Sequence, residues 1–148
     1  MTRTNAREVA VLLCFEMQAT GISADEALEA LFDGEYYETL SKEHAAFAER
    51  PDDKQSEYIS ELVRGIASHS AELDGYIEKY SKDWKFGRIS RTAVAIMKTA
   101  MYEVLYMPDV PNAAAVNEAV ELAKRYEEES TVPFVNGLLG AFVRNEVV

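Results

Sequence analysis

Hydrophobic residues recur every three or four positions along most of the chain, which is the spacing of one face of an α-helix. This pattern predicts a first helix over residues 4–19 that ends at Gly21. Ser23 and Glu26 then match a capping box, which begins a second, short helix. The dipeptide Asp33-Gly34 is expected to end that helix in a turn.

A long apolar series between Ser56 and Tyr80 predicts two further helices, divided where the helical period slips. Ser70 is expected to cap the second of these helices, because a serine hydroxyl can accept from a first-turn amide. The range Arg88–Met107 keeps the most regular rhythm, and its broad apolar stripe predicts a central helix.

The range Pro111–Val143 contains two more helix patterns, each with a recognisable start. Asn112 is expected to cap the first, and Ser130 or Thr131 the second. Pro133 is tolerated in the first turn, because amides there have no partner within the helix. No strand-like alternation is visible in the sequence, so the pattern predicts an all-α fold, a compact bundle of about seven helices.

The chain has 148 residues, the length of one domain, and the periodicity is weakest over Glu35–Lys54. That segment ends at a clear break, Arg50-Pro51. We therefore predict a single helical domain over residues 1–148, with an acidic, variable excursion on the surface at about residues 35–55.

The net charge of −11 is unevenly placed along the chain. Residues 21–60 hold eleven acids and three bases, whereas the range Lys79–Lys98 carries a net charge of +5. An acidic total argues against non-specific nucleic-acid binding, and we expect no DNA partner. The basic stretch can still contact phosphates, although a solvated face explains it as well.

Residues for catalysis or metal binding are missing from the sequence patterns. There is no glycine-rich phosphate loop, no cysteine pair and no Ser/His/Asp arrangement, and neither histidine has a partner at ligand spacing. The single Cys14 lies in an apolar helix pattern and is expected to be an inert, buried thiol. We therefore expect a binding protein that is no enzyme and has neither cofactor nor metal.

No apolar run approaches the ~20 residues of a membrane span, so no membrane partner is expected. The nearest run, Val9–Phe15, is followed by Glu16 and not by a small-residue cleavage site. We therefore expect a mature protein in the cytoplasm.

Several sequence blocks occur together in the order and spacing of one family. The most specific are Asn117–Lys124 (NEAVELAK) and Phe134–Leu139 (FVNGLL). The supporting blocks are Ala6-Arg-Glu8, Trp84 with Arg88-Ile89, Ala100–Val104 and Asp109-Val-Pro111. With these blocks the chain resembles the NusB family of bacterial transcription antitermination factors nearly end to end, and least over residues 35–55.

The resemblance implies an all-helical protein without catalysis or cofactor. It implies binding, together with the ribosomal small-subunit protein NusE, to the boxA segment of nascent ribosomal RNA transcripts. The protein would thereby act within the RNA polymerase antitermination complex and support ribosomal RNA synthesis.

By position, the RNA surface of the family falls on Arg3, Arg7, Phe15 and Phe134. Guanidinium groups pair with phosphates, and single-stranded bases stack on exposed aromatic rings. We add Lys124 and Arg125 as further phosphate contacts, which completes the RNA-binding prediction.

Several residues of the family blocks and of the predicted RNA surface also have a structural interpretation. Arg7 stands beside Glu8 and could serve intramolecular pairs, while Phe15 and Phe134 could belong to the core. Asn117 and Asn136 are interpreted as buried hydrogen-bonding residues that fix helix ends.

Two departures from the family pattern lead to an alternative function. Thr4 and Asn5 stand where members often have more arginines, so we expect RNA binding to be weak without NusE. Ala93-Val94 replaces an acid–arginine pair of the central helix, which in the family lies near NusE, so the NusE contact is expected to change. The alternative is a protein–protein adaptor or a homodimer with weak or lost RNA binding.

Overall fold

The computed structural model describes residues 1–81 and 88–147. In this part of the chain there are eight α-helices, one 3-10 helix and no strand. The α-helices are α1 (Arg3–Thr20), α2 (Ala24–Phe32), α3 (Gly34–Glu43), α4 (Asp53–Ser68), α5 (Ser70–Tyr80), α6 (Arg91–Tyr106), α7 (Asn112–Tyr126) and α8 (Thr131–Glu146), and the 3-10 helix is Ala45–Phe47.

The all-α prediction is therefore confirmed. The described ranges contain one helix more than the seven expected, because Gly34–Glu43 is helical. By its contacts the chain divides into two compact units, a first unit Met1–Ser68 and a second unit His69–Val148. The single-domain prediction stays a prediction. None of the described helices is long and apolar enough to span a membrane.

In the first unit, α1 packs against α2, α4 and the 3-10 helix. The Thr2 hydroxyl caps its start by accepting from the Asn5 amide at 3.0 Å. Gly21 ends it at φ 79°, a left-handed conformation that favours glycine, and its N–H donates to the Met17 carbonyl at 2.8 Å. The predicted first helix and its end are confirmed.

The start of α2 is also as predicted. The Ser23 hydroxyl accepts from the Glu26 amide at 3.1 Å and donates to the Glu26 carboxylate at 3.1 Å. The predicted turn at Asp33-Gly34 ends α2 as expected, but no loop follows it, because α3 begins at Gly34. The Asp33 carboxylate accepts from the amides of Glu35 and Tyr36, and it thereby caps α3.

The prediction of a surface excursion at residues 35–55 is wrong in part. Acidic residues of this segment are exposed, but Tyr37 and Phe47 are buried, with their rings edge-to-face at 5.6 Å. The Arg50 guanidinium lies 5.1 Å from the Tyr37 ring and donates to the Gly34 carbonyl at 3.0 Å. Two large aromatic side chains give the segment enough apolar surface to join the first unit.

In the second unit, α6 packs against α5, α7 and α8, and every residue from Ala93 to Glu103 is buried. The predicted central helix is confirmed, but it begins at Arg91 and not at Arg88. The Ser90 hydroxyl accepts from the Ala93 amide at 3.0 Å and fixes that start.

The predicted cap at Ser70 is wrong, because Ser70 is already the first residue of α5. Its hydroxyl instead accepts from the Lys98 ammonium of α6 at 2.7 Å. Lys98 also pairs with Asp74 of α5 at 3.0 Å. The Ser70 hydroxyl thus makes a contact between α5 and α6 and not the helix cap that the local sequence pattern predicted.

The predicted side-chain caps of the last two helices are wrong as well. Asn112 is the first residue of α7, and neither Pro111 nor Ser130 makes a side-chain cap. Before α8 the backbone itself turns, since the amides of Thr131 and Val132 donate to the carbonyls of Glu128 and Glu129. Pro133 lies in the first turn of α8, as predicted.

Candidate nucleic-acid interface

Two candidate arginines of the first unit share one aromatic ring. The Arg3 guanidinium carbon lies 3.9 Å from the ring centre of Tyr58 on α4, and that of Arg7 lies 5.8 Å from it. The Arg3 Nε–H also donates to the Gln55 side-chain carbonyl at 2.9 Å. The structure therefore brings Arg3 and Arg7 together, through residues of α4 that no sequence pattern singled out.

The two arginines differ in how much of them solvent can reach. Arg3 is partly exposed, whereas Arg7 is only 5% exposed and its neighbour Glu8 only 3%. A guanidinium this deeply buried presents little surface to a phosphate. The structural interpretation of Arg7 is therefore favoured, and Arg3 is the more accessible guanidinium of the pair.

Phe15 lies on the same helix as Arg3, twelve residues later, which corresponds to roughly 18 Å along the helix axis. Its side chain is half-buried. Phe15 is therefore not fully buried, and part of its side chain is open to solvent. This separation suits contacts to different nucleotides of an extended strand.

Phe134 lines a cleft of about 250 Å³ in the second unit. Its ring is half-buried, so Phe134 is not a fully buried core residue either. The other lining residues come from the segment before α6 and from the α7–α8 connection and are Arg88, Ile89, Ser90, Glu127, Glu128, Ser130 and Thr131.

The chemistry of this cleft suits a base better than a phosphate. It holds one guanidinium and two carboxylates, and carboxylates repel phosphate. The Ser90 hydroxyl donates to the Glu127 carboxylate, which ties the start of α6 to the end of α7. An aromatic face beside carboxylate and hydroxyl groups can stack a base and bond its amino edge.

Lys124 and Arg125 occupy the last turn of α7, and both are exposed. Lys124 pairs with Glu121 of the same helix at 3.0 Å. Such an exposed pair is worth only about 0–1 kcal/mol, so Lys124 can exchange it for a phosphate. Positive charge in the last turn of a helix also complements the helix dipole, so Lys124 and Arg125 have a structural role as well.

The basic stretch Lys79–Lys98 does not form one uniform cationic surface. Lys98 is buried against Asp74, and Lys79 donates to Glu146 at 2.7 Å. Hydrogen bonds from Lys79 and then Tyr80 hold the pKa of Glu146 below its ordinary value. Arg88 and Arg91 are exposed, whereas Lys82, Trp84 and Lys85 lie outside the described residues.

The family model described as "NusB family" matches residues 4–144 of the chain. The chain belongs to the NusB family. The resemblance drawn from the sequence blocks is confirmed.

Relatives of known sequence and structure agree with this assignment. The chain is 36% identical over 143 residues to the "Transcription antitermination protein NusB" of Clostridium botulinum, covering 97% of this chain and 100% of the relative. The structure of NusB from T. maritima is similar with a TM-score of 0.80 and 26% identity, over 98% of this chain and 92% of that one.

A third comparison concerns a complex. A crystal structure described as antitermination factors NusB and NusE in complex with dsRNA shares the fold, with a TM-score of 0.75 and 22% identity. The match covers 96% of each chain.

The predicted RNA-binding residues of this NusB-family chain fall into two groups. Arg3, Arg7 and Phe15 belong to the first unit, and the second group, Lys124, Arg125 and Phe134, belongs to the second unit. Gln55 and Tyr58, which contact Arg3, were not predicted, although Tyr58 lies four residues before Leu62 of the apolar series and therefore shares its face.

The two asparagines of the family blocks, Asn117 and Asn136, are exposed. Their interpretation as buried hydrogen-bonding residues is wrong. Ala93 and Val94, in contrast, are buried in the second unit, so they can change a partner contact only through packing.

Among the described residues, no three histidine, cysteine, aspartate or glutamate side chains are grouped so that they could hold a metal ion. Cys14 is buried, as expected.

Proposed function

We propose that this chain is a transcription antitermination factor that binds boxA-type single-stranded RNA of nascent ribosomal RNA transcripts together with NusE. The observation that carries the proposal is membership of the NusB family over residues 4–144. Relatives covering 97% of the chain are named transcription antitermination proteins. The role is binding, without catalysis, within the RNA polymerase antitermination complex in the cytoplasm.

NusE as the protein partner is supported by the motif blocks of the family and by the solved complex of NusB and NusE with RNA, which shares the fold. The charge of the chain gives a physical reason for needing such a partner. With a net charge of −11 and few exposed arginines near the N-terminus, the chain alone attracts RNA weakly. A partner that adds positive charge and contacts beside it would raise the affinity.

The roles of the residues follow from their surroundings. Arg3 binds a phosphate, and Lys124 and Arg125 supply exposed positive charge for others. Phe15 and Phe134 stack bases with the exposed parts of their rings. Arg7 is only 5% exposed and is assigned no phosphate of its own.

A gel-shift titration tests this proposal. BoxA RNA and a scrambled RNA of equal length are titrated with the chain, with NusE and with both proteins. The proposal predicts tight, boxA-specific binding only for the mixture and a loss of affinity with added salt. Equal binding of both RNAs by the mixture would contradict it.

The deep burial of Arg7 and the acidic total favour a second candidate function, a protein–protein adaptor or homodimer without RNA contact. Size exclusion with light scattering, with and without NusE, separates the two. A NusE complex that ignores boxA RNA, or a stable homodimer that excludes NusE, would support the second candidate.

A further inference from the structure

We infer that Tyr58 and Gln55 are positioning residues that hold the Arg3 guanidinium in the orientation in which it binds RNA. The inference rests on the proposed function and extends it to two residues of α4. Neither residue is itself assigned an RNA contact. Both act through Arg3.

The geometry of α4 places the two residues for this role. Gln55 and Tyr58 are three positions apart on one helix, so they lie on the same face. Asp52 fixes the start of that helix, because its carboxylate accepts from the Gln55 amide at 2.9 Å. Since α1 packs against α4, this face is the one on which Arg3 rests.

Two contacts of different kinds define the plane of the Arg3 guanidinium. The hydrogen bond from Nε to Gln55 is 2.9 Å long and fixes the rotation of the group. The Tyr58 ring, 3.9 Å from the guanidinium carbon, supports one of its faces. The bond to Gln55 uses Nε–H, so a phosphate would be bound through the two terminal amino groups. These groups form one edge of the rigid fork and can grip a phosphate in bidentate fashion.

The same ring also lies close to a second guanidinium group. The Arg7 guanidinium carbon is 5.8 Å from the ring centre of Tyr58. The negative face of an aromatic ring attracts both guanidinium groups and offsets part of their mutual repulsion. Without the ring, the Arg3 guanidinium would lose the support of one face and would be held by the bond to Gln55 alone.

The orientation of Arg3 can be tested without RNA. In an NMR spectrum of the free protein, the Arg3 Nε–H should give a separate signal, protected from exchange and shifted by the Tyr58 ring. Y58F keeps the ring and should keep the signal. Y58L removes the ring, Q55M removes the acceptor, and each should return the signal to the position of a solvent-exposed arginine.

The role in binding is tested with boxA RNA and NusE. Y58L and Q55M should lower the affinity on the order of threefold to tenfold, about as much as R3A, while Y58F stays near wild type. In an R3A background neither Y58L nor Q55M should lower the affinity further. A merely structural role would lower the affinity by the same factor in both backgrounds.

The outcomes separate the two levels of the proposal. A wild-type complex without boxA preference would overturn the proposed function, and the positioning role with it. A wild-type complex that prefers boxA, with Q55M and Y58L unchanged or with losses that persist in the R3A background, would overturn the positioning role alone. Tyr58 is buried, so if Y58L does not fold, Q55M decides the question by the same criteria.

Discussion

The Lys98 ammonium of α6 lies 3.0 Å from the Asp74 carboxylate and 2.7 Å from the Ser70 hydroxyl, both on α5. Its side chain is 4% exposed, whereas that of Asp74 is 35% exposed. A buried charge depends on its partner far more than a partly solvated one does. The two halves of this pair should therefore respond differently to mutation.

We predict that D74A lowers the free energy of unfolding by about 3 kcal/mol, because it leaves a buried ammonium without its counter-charge. K98M should cost about 1 kcal/mol, since the Asp74 carboxylate can turn to water and methionine fills similar volume. Urea unfolding followed by circular dichroism measures both.

A matched control for this pair is the exposed contact between Arg64 and Asp25, at 3.1 Å. R64A should cost less than about 1 kcal/mol. Equal costs for D74A and R64A would contradict the importance given to burial of Lys98.

Two glycines with open space around them should respond in opposite directions to alanine. Gly21 has φ 79°, so G21A should cost about 1–2 kcal/mol through backbone strain alone. Gly75 lies within α5, and the methyl group of an alanine there would meet no atom within 4 Å. G75A should therefore stabilise the protein by about 0.5–1 kcal/mol. Thermal unfolding of both variants beside wild type checks the signs. A stabilised G21A would show that the helix end is not held in the left-handed region.

Tyr106 provides a pH-dependent test in the second unit. Its hydroxyl donates to Glu72 at 2.7 Å, and this bond, followed by desolvation and the Glu72 charge, raises the pKa of Tyr106 from 10 to about 12. The folded state thus holds its proton more tightly than the unfolded state. The contribution to stability is complete below pH 10 and is lost as the pH rises through about 12.

The measurement is a titration of tyrosinate ultraviolet absorbance, in which Y106F should lack a titration step near pH 12. E72Q should lower the pKa of Tyr106 towards its ordinary value, because it removes the charged acceptor. Between pH 10 and 12 the stability of wild type should fall more steeply than that of Y106F. Identical slopes would contradict the assignment of this bond.

Stacking and phosphate contacts should be distinguishable by salt. F134L should weaken boxA binding by about 1–3 kcal/mol and leave the salt dependence unchanged, because stacking releases no counterions. R3A should reduce the slope of log K against log salt by about 0.7, the value for one phosphate on a single strand. Fluorescence anisotropy with NusE at several salt concentrations gives both quantities, and N136A offers an exposed control on the same helix as Phe134. A change of slope in F134L would place Phe134 beside a phosphate and not a base.

Local signals in the sequence predicted local structure well. Gly21 and Ser23 act within a few residues of themselves, so the end of α1 and the start of α2 could be anticipated. The role of Ser70 could not be anticipated, because its hydroxyl accepts from Lys98, which is distant in sequence. The burial of Tyr37 and Phe47 was not predicted, because the many acids of their segment outnumber the few apolar residues that join the first unit.

At the candidate interface, too, individual residues could be predicted from the sequence, whereas contacts between distant residues could not. Arg3, Phe15 and Phe134 could be proposed from the family blocks, but their exposure could not be read from composition. The bond from Arg3 to Gln55 joins residues 52 positions apart, and no periodicity connects them. Burial of Arg7 likewise follows from the packing of α1 and not from its immediate neighbours.

The most direct test of the proposed function is the affinity of the chain for boxA RNA against scrambled RNA, measured with and without NusE at one fixed salt concentration. We expect weak, similar binding of both RNAs by the chain alone and a marked preference for boxA once NusE is present. Binding without any preference for boxA in the presence of NusE would contradict the proposed function.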